Sequence, residues 1–189
     1  MRAPSLSSRD RATSLCGYTD RVRPVRKAGD DPAFLVKALG EASGELRATL
    51  HTVPRQALLR PAAGVDDGWC LMGIALHLRN VERGTLRQVE TILGLPGSPL
   101  EPVDLDDIPL IDDCELEDKD RLLEEFHYLR RMTTFTLWDL PPGGWERTGQ
   151  HPYLGEVALI DIARDLYKHD LEHLWQAQRM LQAMAGLRP

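Results

Sequence analysis

The chain is short of the features that mark secreted, membrane-spanning or nucleic-acid-binding proteins. Its three cysteines, Cys16, Cys70 and Cys114, are odd in number and lie far apart. That excludes a disulfide framework or a CxxC metal knuckle and points to a cytoplasmic chain. No apolar run approaches the roughly eighteen residues that a membrane helix needs. The best, Leu71 to Leu78, is interrupted by Gly73 and His77, so no membrane partner is expected. Basic charge is also scarce: the formal net charge is -6. A domain that grips phosphates wants a basic face, so no nucleic-acid partner is expected either. Finally, no stretch of β-branched residues alternates with period two, which removes the usual signal for a sheet.

What remains is helical. The 189 residues suit one domain. Residues 1–29 are rich in Arg and Ser and carry no periodicity, and are expected to form a disordered N-terminal extension to a folded domain over 30–189. Asp30-Asp31-Pro32 then reads as a capped helix start. Leu35, Leu39, Ala42, Leu46, Leu50 and Val53 follow at three- and four-residue steps until Pro54. A second helix is expected after Asp66-Asp67-Gly68, from Trp69 to about Leu93, with Ile74, Leu78, Val81 and Ile92 inward. A third is expected from Asp112-Asp113, with Leu122, Phe126, Leu129, Thr133 and Leu137 on one face, ending at Pro141-Pro142-Gly143-Gly144. The fourth is expected from about Gly155 to Met184.

These patterns predict an all-α four-helix bundle. The proline- and acid-rich stretch from Gly94 to Ile111 is long enough, when extended, to travel the length of a bundle. It therefore predicts a crossover between parallel second and third helices, with the option of folding over one end as a lid.

The chemistry concentrates in the fourth helix. His169 and His173 are one turn apart and share an apolar stripe with Ile162, Leu166 and Met180, so both rings point inward. A buried imidazole must satisfy a donor and an acceptor. A shared metal ion is one solution, and ordinary hydrogen bonding within a core is the other. His77 on the second helix tips the balance toward metal. It lies on a face with Cys70, Gly73, Val81 and Gly84, and glycines beside an inward polar residue imply close approach of another helix or a ligand. Cys70 is about 10 Å along the axis from His77, too far to bind the same ion. Three nitrogens from two helices would leave coordination positions open. Asp165 and Gln176 lie near the same face and are candidates to orient a ligand. His51, His127 and His151 are assigned surface or structural roles, and Trp145 and Tyr153 either line the site mouth or anchor a loop.

His169-Asp170-x-x-His173-Leu-x-Gln176, His77 following Trp69, and the lead-in Gly149-Gln150-His151-Pro152 with Gly155 together resemble the DinB-like superfamily, including its YfiT-type members. The similarity runs from about Pro32 to Met184. It implies an up-down-down-up bundle, a metal site at His77, His169 and His173, and a homodimer. Characterised relatives include S-transferases that use low-molecular-weight thiols. Glu172 departs from the pattern, standing where many relatives carry a histidine. Two functional classes follow. One is a metal-dependent enzyme, such as a thiol S-transferase or a hydrolase, acting on a small-molecule substrate. The other is a non-catalytic metal-binding or dimerising bundle. Imidazole ligands suit zinc first, with nickel, iron or manganese as alternatives.

Overall fold

The structure is a computed structural model and describes residues 31–61 and 68–186. The expected N-terminal extension and the Asp66-Asp67 part of the second start signal lie outside the described residues. Among the described residues, six helices and one hairpin occur in the order α1 (Pro32–His51), α2 (Arg55–Leu58), α3 (Leu71–Gly94), α4 (Ile111–Leu116), α5 (Lys119–Trp138), β1 (Thr148–His151), β2 (Gly155–Ala158) and α6 (Leu159–Met184). The four long helices form a bundle in which α1 and α3 each pack against both α5 and α6.

Side-chain pairs fix the directions. Arg79 of α3 pairs with Glu125, and Thr133 of α5 bonds Glu82, so α3 and α5 run parallel. Arg47 pairs with Glu124 and Ser43 with His127, so α1 and α5 are antiparallel. His77 meets His169, and the apolar start of α3 packs on Leu174, Ala177 and Met180 late in α6, making that pair antiparallel. The order is up-down-down-up, and the stretch between α3 and α4 is the crossover that such an order requires. Among the described residues no helix is long and apolar enough to cross a membrane.

Local chemistry explains the boundaries. Asp31 accepts from the Ala33 N–H at 3.0 Å, with Pro32 opening α1. Trp69 precedes α3 rather than joining it, because Cys70 takes the cap position and its Sγ accepts from the Gly73 N–H at 3.2 Å. The expected third helix is two helices. Asp118 starts α5 afresh, accepting from the Arg121 N–H at 2.9 Å, and Arg55 donates to the Glu115 and Glu117 carbonyls that the break leaves free.

The stretch 155–158, expected to open the fourth helix, is instead the second strand of a hairpin. Its antiparallel register pairs Thr148 with Ala158 and His151 with Gly155. The crossover joins this hairpin: Leu100 N–H donates to the Gln150 carbonyl at 2.9 Å, and Gln150 N–H donates to the Ser98 carbonyl at 2.8 Å. Gly149 is needed there, since a Cβ would come within 2.9 Å of Leu100 and Ile92.

The core is divided. One apolar cluster gathers Leu46, Leu50, Leu71, Ile74, Phe126 and Met180 at one end, and another gathers Leu35, Leu39, Val89, Ile92, Leu137 and Leu159 at the other. Between them lies a buried polar layer containing Ser43, His77, Glu82, Arg130, Thr133, His169, Asp170 and His173.

Candidate metal centre

α3 and α6 aim three buried rings at one point. His77 Nε2 lies 2.9 Å from His169 Nε2, and His173 Nε2 lies 3.1 Å from His169 Nε2. The ligand atoms of all three fall within 4.8 Å of one another. Trp69 packs against the back of the cluster, its ring centroid 5.4 Å from that of His77 and 5.2 Å from that of His173.

The proton inventory tests whether a cation fits. Gln176 Oε1 can only accept, so His173 Nδ1 donates to it at 2.7 Å and His173 Nε2 presents a lone pair inward. The backbone of Asp107 hydrogen-bonds the His77 ring, which leaves His77 Nε2 facing inward in the same way. The backbone of Leu105 lies beside the His169 ring and favours its protonation, but short of good hydrogen-bond geometry, so His169 Nδ1 is buried without a partner. The lone pairs of His77 and His173 thus converge on His169 Nε2, and a cation there would be ligated by all three rings with the His169 proton on Nδ1. The spacing fits a metal too. Metal–nitrogen bonds of about 2.0–2.1 Å place neighbouring nitrogens about 2.9 Å apart at right angles and about 3.4 Å apart at tetrahedral angles.

His77 and His169 are held in the neutral form that binds metal. Burial, reinforced by His173, lowers His77 to about 4 against an ordinary 6.5. Burial, with His173 and His77, lowers His169 to about 3.

Behind the triad sits a second buried group. The fully buried Arg130 guanidinium of α5 binds Glu82 on α3 at 2.7 Å, Asp170 on α6, and the Leu39 carbonyl on α1 at 2.9 Å. One side chain thereby ties all four long helices. Burial opposes its charge, but Asp170 and Glu82 more than offset this and hold it ionised. For Asp170, burial wins over Arg130 and its carboxyl is raised above the usual range.

No protein-family model matches the chain, and none of the curated proteins does. Among solved structures it is similar to YfiT from Bacillus subtilis, described as a probable metal-dependent hydrolase with an unusual four-helix bundle topology. The match covers 83% of this chain and 89% of that one, at 17% identity and a TM-score of 0.70. The chain has a YfiT-like fold.

Within this YfiT-like bundle, the remaining candidates fall in different places. Gln176 is buried against His173, whereas Asp165 is exposed and pairs with Lys168 at 2.9 Å on the rim of a neighbouring pocket. Glu172 is exposed on the outside of α6. Cys70 and Cys114 are buried thiols, and burial together with Cys70 pushes Cys114 up to about 12. His127 and His51 sit on the α1–α5 side, away from the triad, and His151 Nδ1 accepts from the Tyr153 and Leu154 N–H groups in the hairpin turn.

Several residues of the site escaped the sequence reading. Asp104 and Asp107 on the crossover, with Asn80 and Arg87 of α3, line a cavity of about 210 Å³ that opens onto His77. Their signal was the run of acids in the crossover, without periodicity to give it direction. Arg130 and Glu82 could have been noticed as charges on otherwise inward helix positions.

Proposed function

We propose that the chain is a divalent-metal-dependent enzyme, a hydrolase of small molecules, with His77, His169 and His173 as ligands and zinc the first candidate over nickel, iron or manganese. The observation that carries this reading is the convergence of three buried imidazoles on one point bordered by a polar cleft. A closed structural site would use four protein ligands, and only three gather among the described residues. When bound, the ion would supply Lewis acidity and lower the pKa of a coordinated water or thiol.

The chain's own residues would do the rest. Gln176 fixes the His173 ring, as partners of metal-binding histidines generally do. Asp104 and Asp107 lie near enough to His77 to act on its charge, and their carboxylates are the groups placed to take a proton from the nucleophile. Arg87 and Asn80 offer donors to an anionic part of the substrate. S-transfer from a low-molecular-weight thiol is the second reading. It is supported by a cleft that carries both a guanidinium and carboxylates, which suits a thiol bearing an amine and a carboxylate. A homodimer is also proposed, covering the exposed Tyr128, Met132, Phe135 and Trp138 along α5.

The test is elemental analysis of the purified chain beside His77→Ala and His169→Ala/His173→Ala, followed by ester and amide hydrolysis and thiol consumption with electrophiles, with and without chelator. The expected result is about one metal per chain, lost in both variants with the helical signal intact, and turnover abolished by chelation. Absence of metal after incubation with zinc, nickel, manganese and iron, with an unchanged melting temperature, would overturn the proposal.

A further inference from the structure

A second cavity adjoins the triad and is built from different chemistry. Thr85 of α3, Val103 and Leu105 of the crossover, Val157 of β2, and Ile162 and Leu166 of α6 line a pocket of about 90 Å³. Two elements bring it next to the triad. Leu166 lies one turn before His169 on the same face of α6, and Leu105 puts its side chain into the pocket while its backbone lies beside the His169 ring. The polar groups at its rim are already engaged. Gln88 Nε2 donates to the Glu101 carbonyl at 2.7 Å, Asp161 pairs with Arg164 at 2.6 Å, and Asp165 pairs with Lys168. Apart from the Thr85 hydroxyl and the His151 ring, what is left lining it is aliphatic: Val103, Leu105, Leu154, Val157, Ile162 and Leu166.

Val103 lines both this pocket and the polar cleft at His77, so its side chain is the wall between them. It is seated on Gly84, where a Cβ would come within 2.7 Å of Val103 Cγ2. Only glycine at 84 lets the wall sit this deep.

We propose that this pocket takes a short aliphatic group of the substrate while the reacting bond lies at the triad and a charged end lies in the polar cleft. The inference rests on the triad being the reaction site and names the substrate class: a small, polar molecule with a compact aliphatic arm of a few carbons. Size sets the limit. A cavity of roughly 150 Å³ holds a benzene ring, and this one, at about 90 Å³, is smaller, so it limits the arm to a few carbons.

The test is a methyl-NMR titration of the full chain, as purified and again after chelation, with butan-1-ol and benzyl alcohol as probes. Butan-1-ol should shift the methyl signals of Val103, Leu105, Ile162 and Leu166 saturably, with benzyl alcohol at least tenfold weaker. Ile162→Phe, which fills the pocket, should lose tenfold or more in butan-1-ol affinity while metal uptake stays unchanged. Leu105→Trp, on the half-exposed crossover where the bundle core is not disturbed, should lose butan-1-ol affinity likewise. Absence of saturable shifts, equal binding of the aromatic probe, or full affinity in a folded pocket-filling variant would overturn the proposal. Because the titration is repeated without metal, a failed pocket and a failed metal site give different results.

Discussion

The behaviour of single residues at the triad follows from burial. His77 and His169 are lowered to about 4 and about 3. Between these values and 6.5 the unfolded chain binds protons that the folded chain refuses. Their contribution to stability is therefore complete above pH 6.5 and is lost as pH falls toward 4 and then 3. The unfolding free energy of the chelated protein, from urea titration, should drop steadily from pH 7 to pH 4, on the order of a few kcal/mol in all. A flat profile would mean that the rings are not held neutral. Gln176 acts through His173. Gln176→Leu, which keeps the volume and removes the acceptor, should weaken metal binding about 10- to 100-fold, with Gln176→Glu restoring much of it, as read by competition with a chromogenic chelator. This part of the site was legible because helical geometry converts sequence spacing into direction. His169, His173 and Gln176 differ by four and three residues and so share a face. Asp104 and Asp107 were not legible as site residues, since a connection without periodicity says nothing about where its side chains point.

At the scale of elements, the four long helices could be read from their apolar periodicity, and the crossover from its length and composition. The hairpin could not, because strands of four residues alternate too few times to register and Gly149 and Gly155 dilute the pattern. The break between α4 and α5 was hidden for another reason: it is stabilised by Arg55, some sixty residues away. The spacing of the glycines around His77 implies room for a neighbouring helix or ligand. Gly84 instead receives the crossover, and Gly73 packs within reach of the Cys70 and Cys114 sulfurs. Gly84→Ala would ordinarily stabilise a helix by about 1 kcal/mol. Here it should displace the crossover instead, visible as faster hydrogen exchange over residues 99–107 and weaker metal binding as the Asp107 and Leu105 backbones retreat. Adding Val103→Ala should restore protection. If Gly84→Ala alone leaves exchange unchanged, the crossover is not held by this contact.

At the scale of the whole molecule, the polar layer between two apolar clusters sets how stability and metal binding are linked. Arg130 anchors that layer from α5. Arg130→Met would strand the Glu82 and Asp170 carboxylates in the interior, at a cost of about 3–5 kcal/mol at neutral pH. The variant should then gain stability as pH falls, because the stranded carboxyls are raised above their unfolded values and take up protons on folding. That is the reverse of the histidine slope, so the two contributions separate in one set of denaturation curves. The metal belongs to the same layer but bridges only α3 and α6. Since each apolar cluster draws on α1, α3, α5 and α6 without it, chelated protein should keep its helical signal and a cooperative transition. Restoring metal at a hundred times its dissociation constant should add about 2.7 kcal/mol. For a chain of this size that is a rise of roughly 5–10 °C in Tm, with new hydrogen-exchange protection centred on His77 and on His169 to His173. A rise spread evenly over all helices, or one equally large in His77→Ala, would place the ion elsewhere on the molecule.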